Sequence, residues 1–290
     1  MSLNSFFSIM GVSKQAFHQR LDREIQMKEF ETNLAIIIAD LRGDHPTMSC
    51  RAMYYKLAPE EIGRDAFEAL CRDLGFAVIR PVNYQRTTDS RGVTRFENLI
   101  KDLTIDRINQ VWSSDITYFE IDGKFFYITF ILDNYSRVIV GYSVSDRLFT
   151  HATTLPAMRM AIQYRKHQNL IGLIFHSDGG GQYYDKEFIG LLRDHKIESS
   201  MCEAAWENGK AERINGIIKN NYLKPWGVKN KVDLLQKVDR AVRLYNQEKP
   251  HQSLHYKIPA VFEKQCLNLP EQTKPKMINS SDAKSNRVGN

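Results

Sequence analysis

The stretch Val111–Ser145, VWSSDITYFEIDGKFFYITFILDNYSRVIVGYSVS, decides the fold. Val111–Ile121 is dense in β-branched and aromatic residues and reads as a strand. Asp122-Gly123 follows, a dipeptide that tolerates the positive φ of a tight hairpin. Phe125–Leu132 (FFYITFIL) is then an unbroken apolar run of β-formers, as expected for a strand covered on both faces. Val138–Val144 makes a third strand.

Downstream the period lengthens. Leu155, Met158, Ala161 and Ile162 recur at helical spacing within residues 150–167. Ile171–Phe175 reads as a fourth strand running into HSDGGGQY, and Lys186–Arg193 as a helix. A short strand near Ile197–Met201 and a helix over Asn208–Tyr222 complete the series, and a last helix covers Val232–Gln247. Three hairpin-linked strands followed by alternating helices and strands predict an α/β domain of the ribonuclease-H-like class. Its expected form is a mixed five-stranded sheet flanked by helices.

Upstream the chain reads as all-helical. After Gly11, Ser13 can cap a helix through Phe17 and Leu21, pairing residues 6–24 around a tight turn. A longer helix covers roughly residues 24–42. Ser49–Leu57 and Gly63–Leu74 form a second pair, with Arg64 and Arg72 on its surface. Helix, turn, helix is a layout that can set one helix in a DNA groove, which makes Arg64 and Arg72 candidate contacts. Pro81–Asp102 is polar and reads as a linker. The expected organisation is a helical DNA-binding or assembly region over 1–80, a linker over 81–104 and a catalytic core over 105–222. A basic helical extension over 223–265 and a polar, disordered tail over 266–290 complete it.

Composition narrows the class. With 290 residues, 42% hydrophobic and 26% charged, the chain is an ordinary globular one. No segment nears the roughly 18–20 apolar residues of a membrane span. The start, MSLNSFFSIMG, lacks the basic region and cleavage site of a secretory signal. Cys50, Cys71, Cys202 and Cys266 are scattered without CxxC spacing, which fits a reducing compartment and neither a zinc site nor a disulfide framework. The net charge of +6 is unevenly placed: residues 1–108 hold 15 basic and 15 acidic side chains, 109–200 hold 9 and 10, and 201–290 hold 16 and 9. A surplus confined to the last third is what a polyanion-binding surface requires, and a solvated tail is the plainer reading.

Three carboxylates stand out by position. Asp115 lies inside the first strand, Asp178 just past the fourth, and Glu212 on the helix NGKAERINGIIK. A charge inside an apolar strand is costly unless it is paired or binds a metal. Ribonuclease-H topology makes the first and fourth strands neighbours and lays that helix across their ends, so the three would converge. An all-oxygen set suits Mg²⁺ or Mn²⁺. Two such ions about 3.5–4 Å apart can activate the attacking oxygen and stabilise the leaving oxygen of a phosphodiester displacement. Singly, each acid reads as a salt-bridge partner.

The segments WSSDITYF, LDNYSRVIVGY, HSDGGGQY, WENGKAERINGIIK and YNQEKPHQSLHYKIP resemble, in this order, the integrase-like core of bacterial DDE transposases. They look most like the second-frame (OrfB-type) product of the insertion sequence three family. The resemblance covers about residues 105–262, and more weakly 42–80. It implies Asp115, Asp178 and Glu212 as the catalytic and metal-binding triad, with two Mg²⁺ (or Mn²⁺) ions per site. It implies cleavage at element ends by an activated water, attack of the freed 3′-hydroxyl on target DNA, and no covalent protein–DNA intermediate. Element-end and target DNA, further copies of the chain on DNA and a first-frame (OrfA-type) protein are the implied partners. No membrane is involved, and the place is the bacterial cytoplasm near the nucleoid. Lys219 would touch donor-end DNA. Between Asp178 and Glu212 stand 33 residues where the family usually has 35, and Gly179 stands where the family more often has Arg.

Around the triad, Asn208, Lys210 and Arg213 share the late helix with Lys219 and are further candidate DNA contacts. His176, two residues before Asp178, could tune a metal site or be a hydrogen-bonded structural histidine. Asp133 in LDNYSR is the rival carboxylate and reads as a cap or a partner of Arg137, and Trp112 reads as core. GYSVS misses the GxSxG elbow, and the Gly179–Gly181 run lacks the Lys-Ser/Thr of a P-loop. Another ribonuclease-H-fold nuclease, or a non-catalytic DNA-binding product of such an element, are the rival functions.

Overall fold

The computed structural model describes residues 7, 9–78, 96–202 and 205–278. Residues 81–95 of the expected linker and 279–290 of the expected tail lie outside them. The chain divides into two compact units, Met1–Ile79 and Arg80–Asn290.

In the first unit, Ser13 accepts from the Ala16 amide at 3.1 Å and opens helix α1, Lys14–Asp44. This corrects the expected pair over residues 6–24, because α1 runs unbroken through the expected turn. Nothing between Leu21 and Glu24 breaks a helix, and Arg20–Glu24 at 3.1 Å is a supporting i,i+4 pair. Helices α2 (Cys50–Leu57, capped by Ser49) and α3 (Arg64–Asp73, opened by Gly63) form the second pair where the sequence places it. Leu34, Ile38, Met53, Phe67 and Cys71 make the unit's core. Arg42 ties its ends, donating to the carbonyls of Met48 at 2.6 Å and Phe76 at 2.5 Å.

The second unit opens with β1 (Thr104–Ile105), β2 (Val111–Ile121), β3 (Lys124–Asp133) and β4 (Ile139–Ser145). Helix α4 (Thr154–Tyr164), β5 (Ile174–Ser177), α5 (Lys186–Asp194) and β6 (Glu198–Met201) follow. Then come α6 (Gly209–Ile218), α7 (Lys231–Gln247), α8 (Pro259–Leu267) and β7 (Met277–Ile278). The main sheet has the order β4-β3-β2-β5-β6, with β2–β5 and β5–β6 parallel and the other pairs antiparallel. The fourth strand begins three residues later than expected, because Gly172 at φ +75° turns the chain first.

The FFYITFIL run explains the layering. Phe126, Ile128, Phe130 and Leu132 face α6 and α7, packing with Ile214, Ile218, Val238 and Tyr245. Ile131 faces the other way, with Trp112, Val140, Leu155, Met158, Phe175 and Phe188 under α4 and α5. Trp112 is fully buried, as its core reading requires. On this second face Gly141 is obligatory: a Cβ there would stand 2.2 Å from the Ala157 carbonyl oxygen, on the backbone of α4. Gly141→Ala should cost about 1–3 kcal/mol by overpacking. A urea midpoint unchanged from wild type would show that α4 can retreat freely.

Three boundaries differ from expectation. Residues 96–104 are no linker: Ile100 is buried, and the Leu99 amide donates to Ser200 Oγ at 3.0 Å. The core does not end at residue 222, because α7 packs on the sheet through Leu234, Val238 and Tyr245. The expected disordered tail is ordered in its first part. Cys266 is buried with Ile105, Tyr135 and Phe262, and Met277–Ile278 pairs antiparallel with Thr104–Ile105. Such short strands carry no periodicity and exist only through their partners. Among the described residues no helix is long and apolar enough to cross a membrane.

Candidate active site

Strand register sets the first two carboxylates. Parallel pairing aligns Ser113 with His176 and Ser114 with Ser177, so Asp115 and Asp178 are the next residues on adjoining strands. Helix α6 lies along β2 through three side-chain bonds. Asn208 Nδ2 donates to the Ser114 carbonyl at 2.9 Å, Asn215 Nδ2 to Asp115 Oδ2 at 2.8 Å, and Lys219 Nζ to Thr117 Oγ1 at 3.0 Å. Glu212 stands between the first two on that helix and is exposed.

The three acids feel one another. Burial, then the Asp178 and Glu212 charges, push the Asp115 carboxyl up to about 7, against hydrogen bonds from Asn215 and the Ile116 amide. Burial also raises Asp178, against the Gly180 N–H that reaches its Oδ1 at 3.2 Å. Beneath them, buried Tyr183 shares a 2.9 Å hydrogen bond with Ser114 Oγ. Its phenol is held well above its usual range by burial and by Asp178 and Asp115, so it stays neutral.

Among the described residues, no three His, Cys, Asp or Glu side chains are gathered as a ready metal cage. The donor chemistry nonetheless fits a hard divalent cation. The three groups are carboxylates, and the central one is kept hard to ionise by its neighbours' charge, which a cation would offset.

The remaining expected residues divide. Asn208 is a correction: it is buried with its amide on the Ser114 carbonyl, and so positions α6 rather than facing DNA. Lys219 is half-buried with its ammonium 5.0 Å from the Tyr118 ring centroid, held below its usual range by burial and Lys224 while Asp115 pulls the other way. Lys210 is brought down to about 7 by burial and then by Arg137, whereas Arg213 is exposed. In the first unit Arg64 pairs with Asp65 at 2.8 Å, and Arg72 is exposed in the last turn of α3.

His176 takes the structural alternative. It is fully buried, its Nδ1 lies 2.9 Å from Ser200 Oγ across to β6, and burial holds it down to about 4. Asp133 caps its turn through the Tyr135 and Ser136 amides at 2.9 and 3.1 Å, as read. Its ion partner is Arg165 at 3.7 Å, not Arg137. Asn215, which orients Asp115, was not singled out in the sequence. Its only signal there is its place three residues after Glu212, on the same helix face.

Two family models described as integrase core domain match the chain, over residues 106–205 and 194–259. Together they run from residue 106 to 259, more than half of the chain. The insertion element IS600 uncharacterized 31 kDa protein of Shigella sonnei is 27% identical over 88% of this chain and 96% of the relative. Transposase InsF for insertion sequence IS3A of Escherichia coli K12 is 34% identical over 42% of this chain and 40% of the relative. Among solved structures, the HTLV-2 integrase catalytic core domain in complex with magnesium is 22% identical over 53% of this chain and 95% of that one, with a TM-score of 0.43.

Proposed function

The chain belongs to the insertion-sequence transposases of IS3 type, built on an integrase core domain, and on that footing we propose that Asp115, Asp178 and Glu212 are its catalytic centre for cutting and joining DNA. The observation that carries this is the meeting of the three carboxylates where β2 and β5 end beside α6. Those side chains would hold two Mg²⁺ or Mn²⁺ ions, whose chemistry is to place positive charge at the attacking and leaving oxygens of the phosphodiester. The chain's own contribution is positioning. Asn215 fixes one Asp115 oxygen, the Gly180 amide fixes one Asp178 oxygen, and exposed Glu212 is supplied by a helix pinned at Asn208 and Lys219.

DNA is the substrate in this reading. Lys219, beside Asp115, and Arg213, exposed on α6, face the strand that enters the centre, with Lys210 behind them. Arg64 and Arg72 offer the first unit's contacts. Assembly of several copies on DNA, and help from a first-frame protein, belong to the same proposal.

A strand-joining assay tests it, with labelled duplexes carrying the element's own ends and Mg²⁺ present. The expected product is the end joined to target through its 3′-hydroxyl. Cutting without joining would make the protein a nuclease of the same fold, and binding without cutting a non-catalytic DNA binder.

A further inference from the structure

Outside the carboxylate centre, basic side chains from three segments meet with little acid among them. Arg137 sits in the β3–β4 turn at φ +63°, Arg213 in α6, and Lys249 and His251 just after α7. The turn and the end of α7 are locked together by Asn246. Its Oδ1 accepts from the Ile139 amide and its Nδ2 donates to the Ile139 carbonyl, each at 2.9 Å. The His251 amide donates to the Lys257 carbonyl at 3.0 Å, and its ring stands edge-on to Tyr245 at 6.2 Å between centroids.

These groups lie within one another's field. Burial, then Arg137, Lys249 and Arg213, take His251 down to about 3, and burial with Arg213 takes Lys249 to about 8. Asp133 is the carboxylate that acts on Arg137, and it is already engaged by Asn109, Tyr135, Ser136 and Arg165. Two buried donors here have no hydrogen-bond partner, Arg137 Nε and the fully buried Tyr245 hydroxyl. Arg137 Nη2 reaches the Met277 sulfur at 3.8 Å, a weak acceptor. Orphaned buried donors are rare in folded proteins, and here they stand among uncompensated positive charges.

We propose that Arg137, Arg213, Lys249, His251 and Tyr245 form a preformed binding site for a backbone phosphate of the DNA strand that runs past Glu212. A phosphate oxyanion brings the acceptors that Arg137 and Tyr245 lack and the negative charge that the cluster lacks. Arg213 adjoins Glu212 in sequence, which puts the site beside the candidate centre. The anion site stands on its own geometry, while the identity of the anion as DNA phosphate rests on the transposase reading.

The test uses the full chain and two binding measurements without divalent metal. The first compares thermal unfolding in sodium phosphate and in sodium chloride at equal ionic strength. The second follows binding of a duplex oligonucleotide across a salt series. Phosphate should raise the wild-type Tm above its chloride value by about 2–4 °C, and Arg213→Gln with Lys249→Gln should remove that increment. Each single change should lower the slope of log affinity against log salt by about one, with Arg213→Lys keeping the wild-type slope as the charge-preserving control. Circular dichroism confirms that each variant is folded. Equal Tm in both salts together with unchanged slopes would overturn the site. A phosphate-specific Tm rise with unchanged DNA slopes would make it a pocket for free phosphate and overturn the DNA assignment. Failure of the transposase reading is distinguishable, because it leaves both binding signatures intact while wild-type protein joins no strands.

Discussion

Asp115→Asn should abolish strand joining, by about 10³-fold or more, while leaving the protein more stable than wild type in metal-free buffer at pH 8. The two effects have one cause. Asp115 is central to the three carboxylates, and its carboxyl is raised to about 7 by burial and by Asp178 and Glu212. A carboxyl whose folded pKa exceeds its unfolded value favours folding below the unfolded value, and loses that contribution as pH rises through the folded one. The window therefore runs from about 4 to about 7, and above it wild type carries a buried charge that Asn lacks. Divalent cation should reverse the order by stabilising wild type and not the variant. Asp178→Asn and Glu212→Gln should lose joining to a similar degree while retaining DNA binding. The measurements are joining kinetics and Tm against pH, with and without Mg²⁺. Near-normal joining by any of the three variants would remove that residue from the centre. An Asn variant less stable than wild type at pH 8 would show that Asp115 is a structural anchor.

What could be read in advance follows from where each interaction is encoded. The strands from Val111 to Ser145 were legible because burial on two faces writes a continuous apolar run, and Asp122-Gly123 marks its turn. Asp115 was legible because a charge in such a run needs a reason. Asn215 was not, since an asparagine on a helix declares no partner, and its bond to Asp115 spans a sequence separation of 100. Asn208 misled for the converse reason: its spacing from Glu212 is right for the site face, but its amide caps a strand carbonyl. The pocket of Arg137, Lys249 and His251 is assembled by the Asn246–Ile139 clamp, a tertiary feature with no local pattern. Helix α8 went unread because its burial depends on one pairing with α4's end.

That pairing carries the second large effect. Glu263→Ala should destabilise the second unit by about 3–5 kcal/mol, the loss expected when one partner of a buried ion pair is removed. Arg165, 2% exposed at the end of α4, donates to both Glu263 oxygens at 2.5 and 2.6 Å. Asp133 is its more distant partner at 3.7 Å, and its own acceptors are taken by backbone amides. Removing Glu263 thus leaves a guanidinium in the interior with one imperfect neighbour. The damage should spread to the chain leading into α8, because the His251–Lys257 bridge ends just before Pro259. Amides of residues 251–258 should accordingly exchange hydrogen faster in the variant. A cavity-filling double change, Arg165→Met with Glu263→Leu, should recover most of the loss, since well-packed apolar side chains replace buried ion pairs at little cost. Urea unfolding of the three proteins decides the matter. A single variant within about 1 kcal/mol of wild type would mean that water already reaches Arg165. A double variant as weak as the single would mean that the pair's geometry, not its uncompensated charge, holds α8 to α4.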